Sequence, residues 1–129
     1  MNEPRWLTAA MVLAFHSNQI REHGGSLGLR DRGLLESALD RPRNKHHYAP
    51  DTELVELASA YCFGIARNHP FVDGNKRVAF QAMYVFLRLN QFMIEAEEPE
   101  VVRVVLALAA GELDELGLTD WLKDHTVAT

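Results

Sequence analysis

Apolar positions recur at helical spacing along most of this chain. Leu54, Leu57, Ala58, Tyr61 and Ile65 fall at i, i+3, i+4, i+7 and i+11, the period of one face of a helix. Asp51 or Thr52 is read as opening that helix. It must stop before Pro70, because a residue preceding proline is pushed out of the α region. Upstream, Thr8 is placed to cap a helix reaching about Glu22, with Met11, Val12, Phe15 and Ile20 on its apolar side and Gly24-Gly25 ending it. Asp31 is placed to cap a second helix, with Leu34, Leu35, Ala38 and Leu39 as its buried stripe. Pro42 is expected to end it, leaving Arg41–His47 as a polar loop. From Gly74 to Asn90 the apolar residues Val78, Ala79, Ala82, Met83, Val85, Phe86 and Leu89 cover nearly the whole circumference, the pattern of a buried central helix. Pro99–Ala110 reads as a further helix, and Thr119 as the cap of a last one through Leu122. Only Gln91–Ala96 looks extended. The expected fold is all-α, about six helices packed around a buried central helix in one domain, 1–129. No βαβ alternation supports a dinucleotide-binding sheet.

Composition narrows the function classes. Thirteen Lys and Arg stand against 18 Asp and Glu, a net charge of −5, which argues against a broadly basic nucleic-acid binder. The single cysteine, Cys62, cannot form an intrachain disulfide or a cysteine-based zinc cluster. The longest apolar run, Val104–Ala110, has seven residues, where a membrane span needs about 20. No secretory pattern is seen at the N-terminus, so a cytoplasmic protein without membrane contact is expected. The charge is uneven. Tyr61–Asn90 carries Arg67, Lys76, Arg77 and Arg88 against Asp73 alone, a net +3 that leaves −8 for the other residues. Such an island is a local field suited to a small anion, although scattered charges more often form a solvated helix face.

The segment from His69 to Arg77 sits inside this island, between the two most apolar helices. It reads His-Pro-Phe-Val-Asp-Gly-Asn-Lys-Arg. A connector there need only be polar; this one holds a base, an acid, a helix-start glycine and two adjacent cations. The first turn of the helix beginning at Gly74 leaves the N–H groups of Gly74, Asn75 and Lys76 without partners, which makes an anion site at the positive end of the helix dipole. Lys76 and Arg77 add charge, and Arg77 has the fork geometry to grip two phosphate oxygens. Asp73 is a hard oxygen ligand, and Mg²⁺ needs only one or two carboxylates beside substrate phosphates. His69 is a base suited to neutral pH. Cradle, metal ligand and base together fit phosphoryl or nucleotidyl transfer. Bland readings compete: Asp73 as an ordinary N-cap, Phe71 as an anchor that packs the loop, the glycines of His23–Arg30 as a turn, and His16, His23, His46, His47 and His125 as structural histidines. A third ligand near His69 and Asp73 is lacking, which argues against zinc.

The nine-residue run resembles the signature of the Fic/Doc superfamily, and of its Doc (death-on-curing toxin) branch in particular. The resemblance extends to Gly24-Gly25, Gly28-Leu29-Arg30-Asp31, Gly33–Leu39, Ala66-Arg67-Asn68, Phe86–Asn90, Ala110–Leu113 and Trp121-Leu122. It implies a Fic-type helical bundle with a small flap, a loop or short hairpin over His23–Asp31. The flap residues Gly24, Gly25, Gly28, Leu29 and Arg30 would align an extended segment of a target protein by edge pairing. By the same resemblance His69 is the base, Asp73 the Mg²⁺ ligand, and Gly74, Asn75, Lys76 and Arg77 the ATP phosphate cradle. Fic enzymes usually move AMP from ATP onto a hydroxyl. Doc acts as a kinase on a threonine of elongation factor Tu, stopping translation, and an antitoxin keeps it silent.

Two departures from the usual Fic motif point to Doc: Lys76 stands where Fic motifs have glycine, and Phe80 where they have a second arginine. Pro70 and Gly74 are the Fic-like residues. Some Fic proteins also carry an inhibitory helix marked by Ser/Thr, Glu four residues on, then Gly or Asn. The nearest candidate, Thr52 to Glu56, is followed by Leu57, so inhibition is expected from a partner protein. The leading expectation is a toxin kinase. An adenylyltransferase is the alternative within enzymes, and a protein-binding module without turnover is the alternative outside them.

Overall fold

The structure is a computed structural model and describes residues 3–129. Its elements run α1 (Ala9–His23), α2 (Arg32–Tyr48), α3 (Leu54–Asn68), α4 (Asn75–Leu89), β1 (Phe92–Ile94), α5 (Glu98–Ala109), α6 (Glu115–His125) and β2 (Thr126–Ala128). The all-helical bundle of six helices is the one the apolar periods imply.

Its centre is α3, not the Gly74–Asn90 helix. Ten of the fifteen α3 residues are buried, and α3 packs against α2, α4, α5 and α6. Small residues explain this: Ala58, Ser59, Ala60, Gly64 and Ala66 let neighbours approach on every side. On α4, Val85 and Leu89 are only partly buried and Lys76, Arg77, Tyr84 and Arg88 reach solvent. Gly64 marks a close approach between helices. A Cβ there would lie 3.1 Å from Ala38 Cβ and 3.2 Å from its Cα, so α2 and α3 meet through a glycine–alanine contact. Gly64→Leu is therefore expected to overpack the interface and lower stability by about 1–3 kcal/mol. Urea unfolding checks this: an unchanged midpoint would mean that the two helices separate freely.

The Thr8 and Asp31 caps form as expected, accepting from the N–H groups of Met11 and Leu34. Three boundaries differ. Pro42 does not end α2; it lies buried within a helix that continues to Tyr48, so Arg41–His47 is not a loop. The missing proline N–H leaves the Ala38 carbonyl without its helical partner, and packing outweighs that loss. Arg41 and Lys45 both pair with Glu115 of α6, His46 sits edge-on to Trp6, and Lys45 puts positive charge at the helix C-terminus. Helix α3 starts at Leu54, because Thr52 turns its hydroxyl back to the Ala49 carbonyl. Thr119 is not a cap. Asp114 caps α6 through the Gly117 N–H, and Thr119 is buried mid-helix, donating to Ser59 Oγ of α3.

The extended segment is confirmed as β1. Its partner is β2, antiparallel, with Phe92 opposite Ala128 and Ile94 opposite Thr126. Cys62 is fully buried, and burial pushes its thiol up to about 12, so it offers no thiolate for chemistry at neutral pH. Among the described residues no helix is long and apolar enough to cross a membrane.

Candidate active site

The His69–Arg77 segment joins the ends of α3 and α4, and its conformation follows from its residues. His69 closes α3 as a left-handed C-cap (φ 50°, ψ 56°), its N–H donating to Ile65 O. Pro70 can add no further turn. The chain re-enters a helix at Gly74, whose φ of 78° favours glycine and whose Cβ, if present, would lie 3.3 Å from Ile20 Cδ1 of α1.

Phe71 is the buried anchor that the sequence indicated. It stacks face to face on His16 of α1, with ring centroids 4.0 Å apart and planes 8° from parallel. Asn75 grips it from the other side: the amide oxygen accepts from Phe71 N–H and the amide nitrogen donates to Phe71 O, both at 2.9 Å. The Asn75 side chain is thus committed to the loop, and what it offers an anion is its main-chain N–H.

The set of free donors is one residue displaced from the expected one. Gly74 is the cap residue, not the first helical residue, and its N–H donates to Asp73 Oδ1 at 2.9 Å. Among the described residues the N–H groups of Asn75, Lys76 and Arg77 have no protein acceptor. These three open the helix, with the exposed side chains of Lys76 and Arg77 beside them.

The flap lies against this loop as a single extended segment, not as a hairpin. Leu29 bridges Phe71 in antiparallel fashion, Val72 N–H donates to Gly28 O and Arg30 N–H to Pro70 O. In such a pair the flanking residues carry the bonds, so the main-chain N–H and C=O of Leu29 face the opposite, open edge. Gly24 and Gly25 lead into it from α1, and Gly25 lies so close to Asp73 that a Cβ would stand 2.6 Å from Oδ2. The same carboxylate oxygen accepts from Ser26 N–H at 3.3 Å. Arg30 turns away from the open edge; its guanidinium donates to Asn68 O and His69 O.

His69 is exposed. Together with Lys76 it lines a cavity of about 470 Å³ whose far wall is α5 and the turn after it: Arg103, Leu106, Ala107, Ala110 and Glu112. This volume is within the range of small-molecule sites, about 300–1,000 Å³. Arg77 is not part of the lining.

The oxygen donors at this turn are few. Asp73 is an exposed carboxylate held by two N–H groups that leave lone pairs free. Among the described residues no group of three or more His, Cys, Asp or Glu could hold an ion. A lone carboxylate with free lone pairs is compatible with Mg²⁺, which keeps waters and takes substrate phosphate oxygens.

Sequence reading missed three participants. His16 is buried, and because a carbonyl only accepts, its Nε2 donates to Asp73 O at 2.9 Å. The available signal was its place at i+4 from Val12 and i−4 from Ile20, on the apolar side of α1. Arg103 reaches the cavity through tertiary packing, and nothing local marks it; Glu112 lies in the Ala110–Leu113 stretch of the resemblance, which assigned it no place in the site.

A family model described as Fic/DOC family matches residues 6–87. The chain is 30% identical over 119 residues to the protein named "Protein kinase doc" of Escherichia phage P1, covering 92% of this chain and 94% of that one. It is 42% identical over 76 residues to "Toxin Doc" of Mycolicibacterium smegmatis, covering 57% of this chain and 58% of that one.

Proposed function

This chain belongs to the Fic/Doc family, and on that premise we propose that it is the toxin of a toxin–antitoxin pair, a protein kinase that transfers the γ-phosphoryl group of ATP to a Ser or Thr hydroxyl of a target protein. By the family resemblance the target is elongation factor Tu, the consequence is arrest of translation, and the place of action is the cytoplasm. The observation that carries the reading is the position of Lys76, which lines the same cavity as His69. Where a Fic site has glycine there, a triphosphate can extend past the turn and bring its α-phosphate to the base. A lysine side chain fills that path and holds a phosphate with its own charge, so the nucleotide binds reversed and presents its γ-phosphate.

In the step proposed, the target hydroxyl gives its proton to the His69 imidazole while its oxygen bonds to the γ-phosphorus. The bond from that phosphorus to the bridging oxygen breaks, and ADP leaves. The free N–H groups of Asn75, Lys76 and Arg77 and the two side-chain cations hold the negative charge spread over the phosphoryl oxygens. Asp73 is the residue that would hold Mg²⁺, which when bound neutralises phosphate charge. The target's main chain pairs with the open edge of the flap at Leu29, which sets the hydroxyl in line with the base. A cognate antitoxin is proposed to cover this face, where Leu27 and Val72 are 67% and 55% exposed beside the flap and the motif loop.

Chelation gives the test of the metal and of the reaction class together. With labelled ATP and a cell lysate as source of target, transfer is expected to fall to background in excess chelator and to return with Mg²⁺. Asp73→Asn is expected to respond poorly to added Mg²⁺. Transfer that persists at full rate in chelator overturns the role of Asp73.

A further inference from the structure

We infer that Arg30 is a positioning residue that holds His69 in its left-handed conformation and couples the placement of the base to the flap. The inference rests on the proposed role of His69 as base. At the end of α3 three consecutive carbonyls, those of Asn68, His69 and Pro70, all turn to one residue. Arg30 Nη2 donates to Asn68 O at 2.8 Å, its Nε to His69 O at 2.7 Å, and its main-chain N–H to Pro70 O at 2.7 Å. The planar guanidinium fork is suited to two acceptors at a fixed spacing, and its charge sits at the negative end of the α3 dipole. A non-glycine residue with φ near +50° persists only where its surroundings hold it there, and His69 has that φ. No other side chain of the described residues bonds the Asn68 or His69 carbonyl.

The position of Arg30 in the flap gives this clamp a second consequence. Leu29, the residue before it, presents the unpaired main-chain edge, while Arg30 reaches back to the base. A polypeptide strand that pairs at Leu29 restrains the neighbouring Arg30, and through two side-chain bonds restrains His69. Target alignment and base placement are thereby functions of one short segment.

The test compares the full-length parent with Arg30→Ala and Arg30→Lys by two readouts. One is the one-bond Cα–Hα coupling of His69 in the free protein, which separates positive from negative φ. The other is kcat and KM for ATP in the transfer assay. In Arg30→Ala the coupling is expected to move toward the negative-φ value. The kcat is expected to fall about 10- to 100-fold with KM for ATP within about twofold, the pattern of a misplaced base rather than a lost nucleotide contact. Arg30→Lys, which keeps the charge but not the fork, is expected to lie between the two and serves in its place if the alanine variant unfolds. A parental coupling in both variants overturns the inference, whatever happens to kcat. So does a rise in KM with kcat unchanged. If the parent itself transfers nothing, the proposed reaction fails, and the coupling alone still decides whether Arg30 holds His69.

Discussion

Replacing His69 with alanine is expected to lower the transfer rate by about 10²- to 10⁴-fold, the usual contribution of a general base, and to make expression of the protein harmless to its host. The same substitution should leave the thermal unfolding midpoint close to that of the parent. Its side chain is exposed, and its main-chain bond to Ile65 O survives the change. Alanine is no better suited than histidine to a φ of +50°, so a small loss of stability is the most the fold should register. The contrast between a large kinetic effect and a small stability effect is what marks a catalytic role. A His69→Ala protein as toxic as the parent, and as active, would remove His69 from the chemistry and leave the cavity without a base.

The second large effect is expected at Asn75, through structure instead of chemistry. Its side chain satisfies both main-chain polar groups of Phe71, and all three groups are buried. Asn75→Ala leaves a buried N–H and a buried C=O without partners, each costing about 1–3 kcal/mol. A total of about 2–6 kcal/mol is a large share of the stability of a domain this size. The loop also loses the grip that sets Phe71 against His16, and with it the placement of Asp73, whose carbonyl accepts from the same histidine. Asn75→Ala should therefore lose stability and transfer together, whereas His69→Ala loses transfer alone. Denaturant unfolding of the two variants side by side checks this. Full stability in Asn75→Ala would mean that the loop does not depend on the amide.

What the chain declares in its sequence and what it hides divide along a physical line. Features set by local backbone chemistry are legible. Thr8 and Asp31 cap where their side chains can reach the third residue on, Pro70 stops α3, and Gly74 opens α4 with a positive φ. The grouping of His69, Asp73 and the cradle in one turn follows from their being adjacent in the chain. Features set by packing are not legible. Pro42 reads as a terminator because its local cost is plain, while the compensating pairs with Glu115 come from a helix seventy or more residues away. Thr119 reads as a cap because its hydroxyl suits one, and only the fold supplies Ser59 as its partner. The displaced set of free N–H groups has a smaller cause. Whether Gly74 counts as cap or as first helical residue shifts the donors by one, and Asp73 takes up the difference by accepting from Gly74. Arg30 reads as part of the flap's target-facing edge, and its two bonds to the end of α3 appear only when the flap is laid on the motif loop.

The central claim is the identity of the group transferred. The measurement that tests it most directly uses two ATP samples, one labelled at the α-phosphate and one at the γ-phosphate, each incubated with the protein, Mg²⁺ and a cell lysate. The proposed reversed nucleotide, argued from Lys76 lining the same cavity as His69, predicts label on a protein from γ-labelled ATP alone, with none in a His69→Ala control. Label from the α-labelled sample would contradict the account, because the nucleotide would then present its α-phosphate to the base and the protein would be an adenylyltransferase.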